Sequence, residues 1–306
     1  MVQILASLVP QSIINKFEAY PHDGDQAFTS IMTGAVFGVG AAFLIGLSDL
    51  FGRRITLRTS AITTSSTIQG FSAAAILLSL FLWPGTLSAR DVTLGALSGG
   101  GFALGLCSYH LGLTKSSAAV IAPLTAVLSA LIPFVWVLIR GIQLSPLSAM
   151  GAGLALLGLV AATTSSPLDA LSKAGIQLGL LAGVGYGLGQ AVLLEVAASA
   201  GPVAIAGQRV AAFGFMIPLA VMTNNRVVAP KGVTGWGISA GVCAGGASIA
   251  LFHGLRFDPV AAVIGISLFP LFSAVIGRVA YQDTLTKRHA LGIACAVIGT
   301  IGVIVG

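Results

Sequence analysis

Charge is what this sequence lacks. Of its 306 residues, 8% are Asp, Glu, Lys or Arg, against roughly 25% in soluble domains. Acidic residues number nine in all. A soluble fold of this length needs a charged surface, and this chain cannot supply one. Lipid must therefore solvate most of its outside. Cysteine is scarce too: Cys107, Cys243 and Cys295 stand far apart in apolar runs. They form no CxxC and no Cys/His spacing, so they read as packing residues, and no metal or other cofactor is expected. HExxH and GxxxxGKS/T are both missing, which excludes a P-loop ATP-driven pump. The 15 basic residues give a net charge of +6. They are scattered through short connectors with no basic stripe, so nucleic acid is not an expected partner.

What the chain has is apolar length. Hydrophobic residues make up 56% of it, and glycines number 40; the mean hydropathy is +0.99. A spanning helix needs about 20 mostly apolar residues. Ten runs qualify: 31–50, 63–83, 92–113, 117–139, 146–164, 176–198, 203–223, 233–255, 259–281 and 288–305. Breaks between them carry turn and charge signals, among them Arg53 and Arg54, Pro84 and Gly85, Arg140 and Gly141, Gly201 and Pro202, and Asp258 and Pro259. Connectors this short predict that consecutive helices are antiparallel neighbours. Residues 1–30 read as a tail, with a short apolar stretch broken by Pro10 and no basic start of a cleaved signal.

The chain also repeats itself. Tyr109 and His110, followed by Ala118, Ala119, Val120 and Ile121, match Phe252 and His253 followed by Ala261, Ala262, Val263 and Ile264. Gly38-Val39-Gly40 matches Gly183-Val184-Gly185, and Gly151 and Gly158 match Gly292 and Gly299. The expected organisation is a repeat over 31–164, a linker over 165–175 and a second repeat over 176–306. Five helices per repeat is an odd number, so the second enters the membrane from the opposite side. The expected fold is thus an all-α integral membrane protein with ten transmembrane helices in two inverted five-helix repeats, an architecture associated with alternating access.

The segment from Gly265 to Phe272 carries Pro270 and is followed by Gly277, Asp283, Gly292 and Gly299. It resembles the C-terminal part of the EamA-type repeat of the drug/metabolite transporter superfamily. That repeat has a Pro near the start of its fourth helix, an acidic residue before a short turn and a Gly in its fifth helix. Asp283 replaces the more usual Glu, and Val127 stands where the first repeat would have its Pro. The resemblance implies a secondary transporter of metabolites, such as amino acids, or of drugs. It also implies a pathway among helices 1–4 and 6–9, helices 5 and 10 at the periphery, and both termini in the cytoplasm. The basic residues argue the other way. Ten fall on the side reached after helices 1, 3, 5, 7 and 9, and five, including Arg209, on the other, which places the termini outside. Orientation stays open.

Ionisable groups are costly in the bilayer, so each one there is a candidate. Asp49 and Glu195, near the ends of helices 1 and 6, are candidates for proton or ion coupling, with an interfacial carboxylate favoured for both. His110 and His253 are matched by the repeat and titrate in the working range, so they are candidates for both coupling and substrate binding. Tyr109 joins them. Tyr186 and Gln190 share a face of helix 6, and Gln190 with Gln69 is expected to line a polar cavity, since an unpaired amide is expensive there. Arg209 could attract an anionic substrate group or snorkel to the headgroups, and snorkelling is favoured.

No catalytic residue is expected. Gly237 to Gly241 formally matches GxSxG, but Ser239 lies in an apolar helix, where the nucleophile elbow's strand-turn-helix is missing. The expected function is alternating-access transport of small solutes. An intramembrane serine enzyme, with Ser239 and His110 together, and a homo-oligomeric channel are the alternatives. Partners are a small-molecule substrate and the bilayer, with a homodimer left open, in the cell (inner) membrane as a multi-pass protein.

Overall fold

A computed structural model describes residues 24–116, 118–141, 144–163, 172–281 and 287–305. Most of the expected tail and most of the linker lie outside these, as does Asp283. Among the described residues, the first half holds α1 (Gly24–Thr56), α2 (Ala61–Ser79), α3 (Ala89–Leu113), α4 (Ala118–Ile139) and α5 (Pro146–Thr163). The second holds α6 (Lys173–Leu194), α7 (Pro202–Met222), α8 (Lys231–Phe257), α9 (Pro259–Ile266), α10 (Phe269–Tyr281) and α11 (Lys287–Val305). Among the described residues, eight segments are long and apolar enough to cross a membrane, the last being the α9–α10 pair over Pro259–Ala280. Shorter apolar helices, Pro146–Gly158 and Ala290–Val303, occupy the places of the fifth and tenth expected runs.

Local chemistry sets the helix starts. Ser60, Ser88 and Ser172 cap α2, α3 and α6, each accepting from the amide three residues on. Asp258 does the same for α9 from Ala261, with Pro259 in the first turn, where its missing amide costs nothing. Gly201 enters α7 at φ 52°, a conformation that favours glycine.

Short connectors fix direction but not partners. α1 packs mainly on α8, α9 and α10, and α3 on α6 and α7. α2 packs on α7 and α8, α4 on α6, and α5 on α11. The expectation that consecutive helices are the main neighbours is therefore corrected: the halves interleave. Glycine explains why. A Cβ on Gly101 of α3 would stand 2.6 Å from the Gly185 carbonyl oxygen of α6, and one on Gly185 would stand 2.6 Å from the Gly105 nitrogen. Likewise a Cβ on Gly241 of α8 would meet Phe71 of α2 at 2.5 Å. Backbones that approach this closely gain dispersion contact, the main attraction between helices in lipid.

Contacts at the two ends show which termini lie together. Ser30 at the start of α1 donates to the Phe257 carbonyl at the end of α8, and Arg256 of α8 donates to the Leu193 carbonyl at the end of α6. Ser172 at the start of α6 donates to the Lys115 carbonyl just after α3. α1 therefore starts at the end of the bundle where α6 finishes.

Candidate functional site

A cavity of about 30 Å³ lies between the halves. α1 contributes Ile45 and Asp49, α3 Phe102 and Tyr109, and α4 Ser129. Tyr186 and Gln190 come from α6, and Ile266 and Phe269 border the α9–α10 junction. That volume holds about one or two waters, so a metabolite can occupy it only when the helices part.

Asp49 is the cavity's carboxylate. Its Oδ2 accepts from the Tyr109 hydroxyl at 3.0 Å and from Ser273 Oγ at 2.7 Å. The group thus joins α1, α3 and α10. Asp49 lies two turns inside the end of α1, which runs on to Thr56. Gln190 is 4% exposed, and its Oε1 is buried with no hydrogen-bond partner. Tyr186 sets its ring edge-on to Phe102, at 5.5 Å between centroids.

The break between α9 and α10 falls at the cavity wall. Pro270 has no amide, so the Ile266 carbonyl loses the partner that a continuous helix would give it. Ser267 Oγ turns back to the Ile264 carbonyl at 2.6 Å, and the Leu268 amide reaches Gly265 at 3.2 Å. Irregular backbone in a bilayer is tolerated where it is buried or lines a cavity, and Ile266 and Phe269 on either side of the break do line this one.

Other expected site residues lie elsewhere. Gln69 does not line the cavity: its Oε1 accepts from Arg209 Nη1 at 2.9 Å, and its Nε2 donates to the Phe102 carbonyl at 3.4 Å. Arg209 does not snorkel; it is 4% exposed, two turns inside α7. His110 is 1% exposed. Its Nδ1 lies 3.0 Å from the Leu106 carbonyl, which can only accept, so that nitrogen carries the proton. His253 stacks on Trp83 at 4.7 Å, at the opposite end of the bundle from His110. Glu195 pairs with Arg140 and accepts from Trp136 Nε1 at 2.9 Å, which ties the ends of α4 and α6. Ser273 and Ser129 were invisible to sequence reasoning, because small hydroxyl residues are common throughout these helices. The serine-enzyme arrangement is not assembled: His110 turns to Leu106 and to Ser65, 3.4 Å away, rather than to Ser239.

Comparison with known proteins finds a family likeness in the second half. Residues 173–305 match the EamA-like transporter family. The EamA-like half contains Tyr186, Gln190, Ile266, Phe269 and Ser273, so it supplies one wall of the cavity and a partner of Asp49. A crystal structure of another protein superposes with a TM-score of 0.69 at 16% identity, covering 88% of this chain and 96% of that one. That likeness shows the fold alone, but it extends over both halves. No curated protein matches the chain in sequence. The EamA-like match over the second half and the apolar helices together make this a multi-pass membrane protein.

Proposed function

We propose that the protein is a secondary carrier that moves a small metabolite, such as an amino acid, or a drug across the cell (inner) membrane by alternating access. The observation that carries this reading is the cavity between the halves. It combines one carboxylate, two phenols and an amide with apolar walls, and it sits beside a broken helix. Such a lining grips a solute without a fixed charge ring.

Ten spans in two inverted repeats underlie the proposal, with the two shorter apolar helices as the fifth and tenth. Three observations support this. α1 and α6 start at opposite ends of the bundle. The α3–α7 and α8–α2 contacts each use a pair of glycines four residues apart, Gly95 and Gly99 in α3 and Gly237 and Gly241 in α8. α5 and α11 pair through Gly151 and Gly299. Rocking one half on the other would expose the cavity to each side in turn.

Asp49 is the proposed coupling group. A proton or cation arriving there would compete with the hydrogen bonds from Tyr109 and Ser273, and so would loosen α10 from α1. Tyr109, Tyr186 and Gln190 are the proposed solute contacts. The test is counterflow in proteoliposomes with pooled labelled amino acids and small metabolites, with and without a pH gradient. Saturable counterflow accelerated by the gradient is expected. Flux that never saturates would replace the carrier with a channel.

A further inference from the structure

Among the described residues, Arg209 is the only Lys or Arg that is buried. It stands about 10 Å into α7 at 1.5 Å per residue. Its Nη1 donates to Gln69 Oε1, and its Nη2 to the Ala244 carbonyl and to Ser248 Oγ. All three acceptors are neutral. Nε is buried with no hydrogen-bond partner, and among the described residues no carboxylate forms an ion pair with this guanidinium. A cation at this depth is costly. A neutral amide could tie α7 to α2 and α8 at lower cost, so cross-linking alone does not account for the charge.

Position gives the charge a use. The Arg209 guanidinium carbon lies 5.2 Å from the centre of the Phe102 ring. Phe102 lines the cavity, and Tyr186 packs edge-on to the same ring. A single aromatic ring therefore stands between the solute cavity and a buried cation with a spare N–H. Two more polar atoms without partners, Ser72 Oγ and Gln208 Oε1, belong to the same helices, α2 and α7. The charge balance narrows the ligand. There is one guanidinium, and Asp49 also lines the cavity, so a polyanion would be repelled while a singly charged group is matched.

We propose that Arg209 is the specificity residue for a carboxylate-bearing solute, which reaches it when the Phe102 ring swings aside. The guanidinium offers the directional donors that a carboxylate fits. This rests on the carrier reading above.

Counterflow tests it with amino acids and short-chain monocarboxylic acids, each paired with its primary amide, at neutral pH. The wild type should exchange acids at least about tenfold faster than amides, the scale of one charge-assisted hydrogen bond. Arg209→Gln should bring that ratio to near one, and Arg209→Lys should keep the preference at a lower rate. Thermal shifts of the purified protein with the same pairs give a second readout for variants with weak flux. A purely structural Arg209 would change yield or melting temperature without changing the acid-to-amide ratio. Equal handling of acid and amide by the wild type overturns the proposal, as does an unchanged ratio in Arg209→Gln. In either case saturable counterflow of some solute leaves the carrier reading standing. If no compound shows flux, the carrier reading fails separately, and the thermal-shift pairs still decide whether Arg209 selects carboxylates.

Discussion

In the first half, the chain from Ala118 runs as one helix to Ile139; in the second, the matching chain ends α9 at Ile266 and starts again at Phe269. The two begin with the same Ala-Ala-Val-Ile. Pro270 is met by Val127 in the first half, where α4 stays continuous across its own Pro123 and Pro133, so the equivalent place is broken in the second half alone. The histidines differ in the same manner. His110 is sealed against Leu106 and Gly52, whereas His253 lies half-buried on Trp83. Near-symmetry builds the scaffold, and departures from it mark where the cavity wall is irregular.

The largest effect is expected from Pro270→Val, which makes the second half like the first. A new amide for the Ile266 carbonyl should join α9 to α10 and stabilise the fold by about 1 kcal/mol, while counterflow collapses. Wild-type flux in a variant with a raised melting temperature would show that the break is incidental. Asp49→Asn and Glu195→Gln then compare the two carboxylates. The first should abolish acceleration by a pH gradient while leaving solute exchange. The second should cost about 1 kcal/mol of stability and leave gradient dependence unchanged, because its Arg140 pair closes an end rather than the cavity. Reversal of those outcomes would move the coupling site to the end of α6. Gln190→Leu should raise the half-saturating solute concentration by about fivefold with membrane expression intact. The smallest effect is expected from His253→Phe, which preserves the stack on Trp83 and should shift stability by no more than about 0.5 kcal/mol. A large transport defect there would restore that histidine to the site.

These contrasts also show what the sequence could tell. Helices and the connectors between them were legible, because spanning length and Pro, Gly and charge signals are local, but the break inside the expected 259–281 run was not. Partners were not: whether α3 meets α4 or α6 depends on which glycine faces align, and a list of glycines does not say. Arg209 was expected at the headgroups because it lies near the start of its run, whereas its guanidinium turns inward to Gln69, Ala244 and Ser248. Apolar runs end where polar residues begin, but α1 continues six residues past its expected end at 50, through Arg53 and Arg54 to Thr56. Glu195 was expected near the end of its helix, and it caps α6. Gln69 was correctly expected inside, yet the side of α2 it occupies turns toward Arg209 and not toward the cavity.

The glycine crossing of α3 and α6 has a mechanical meaning. Gly101 is the middle residue of the 25-residue α3, and it touches α6 near that helix's own middle. Contact without side chains leaves no padding to compress, so in the proposed rocking the crossing would act as a fulcrum rather than a cushion. At 1.5 Å per residue, α3 is a lever about 37 Å long with arms of about 18 Å. A tilt of about 15°, the size seen in rigid-body switches, carries each tip about 5 Å. The two tips move in opposite senses, so a rotation that widens one mouth of the bundle narrows the other by the same amount. Replacing Gly101 by a bulkier residue would shift that pivot outward.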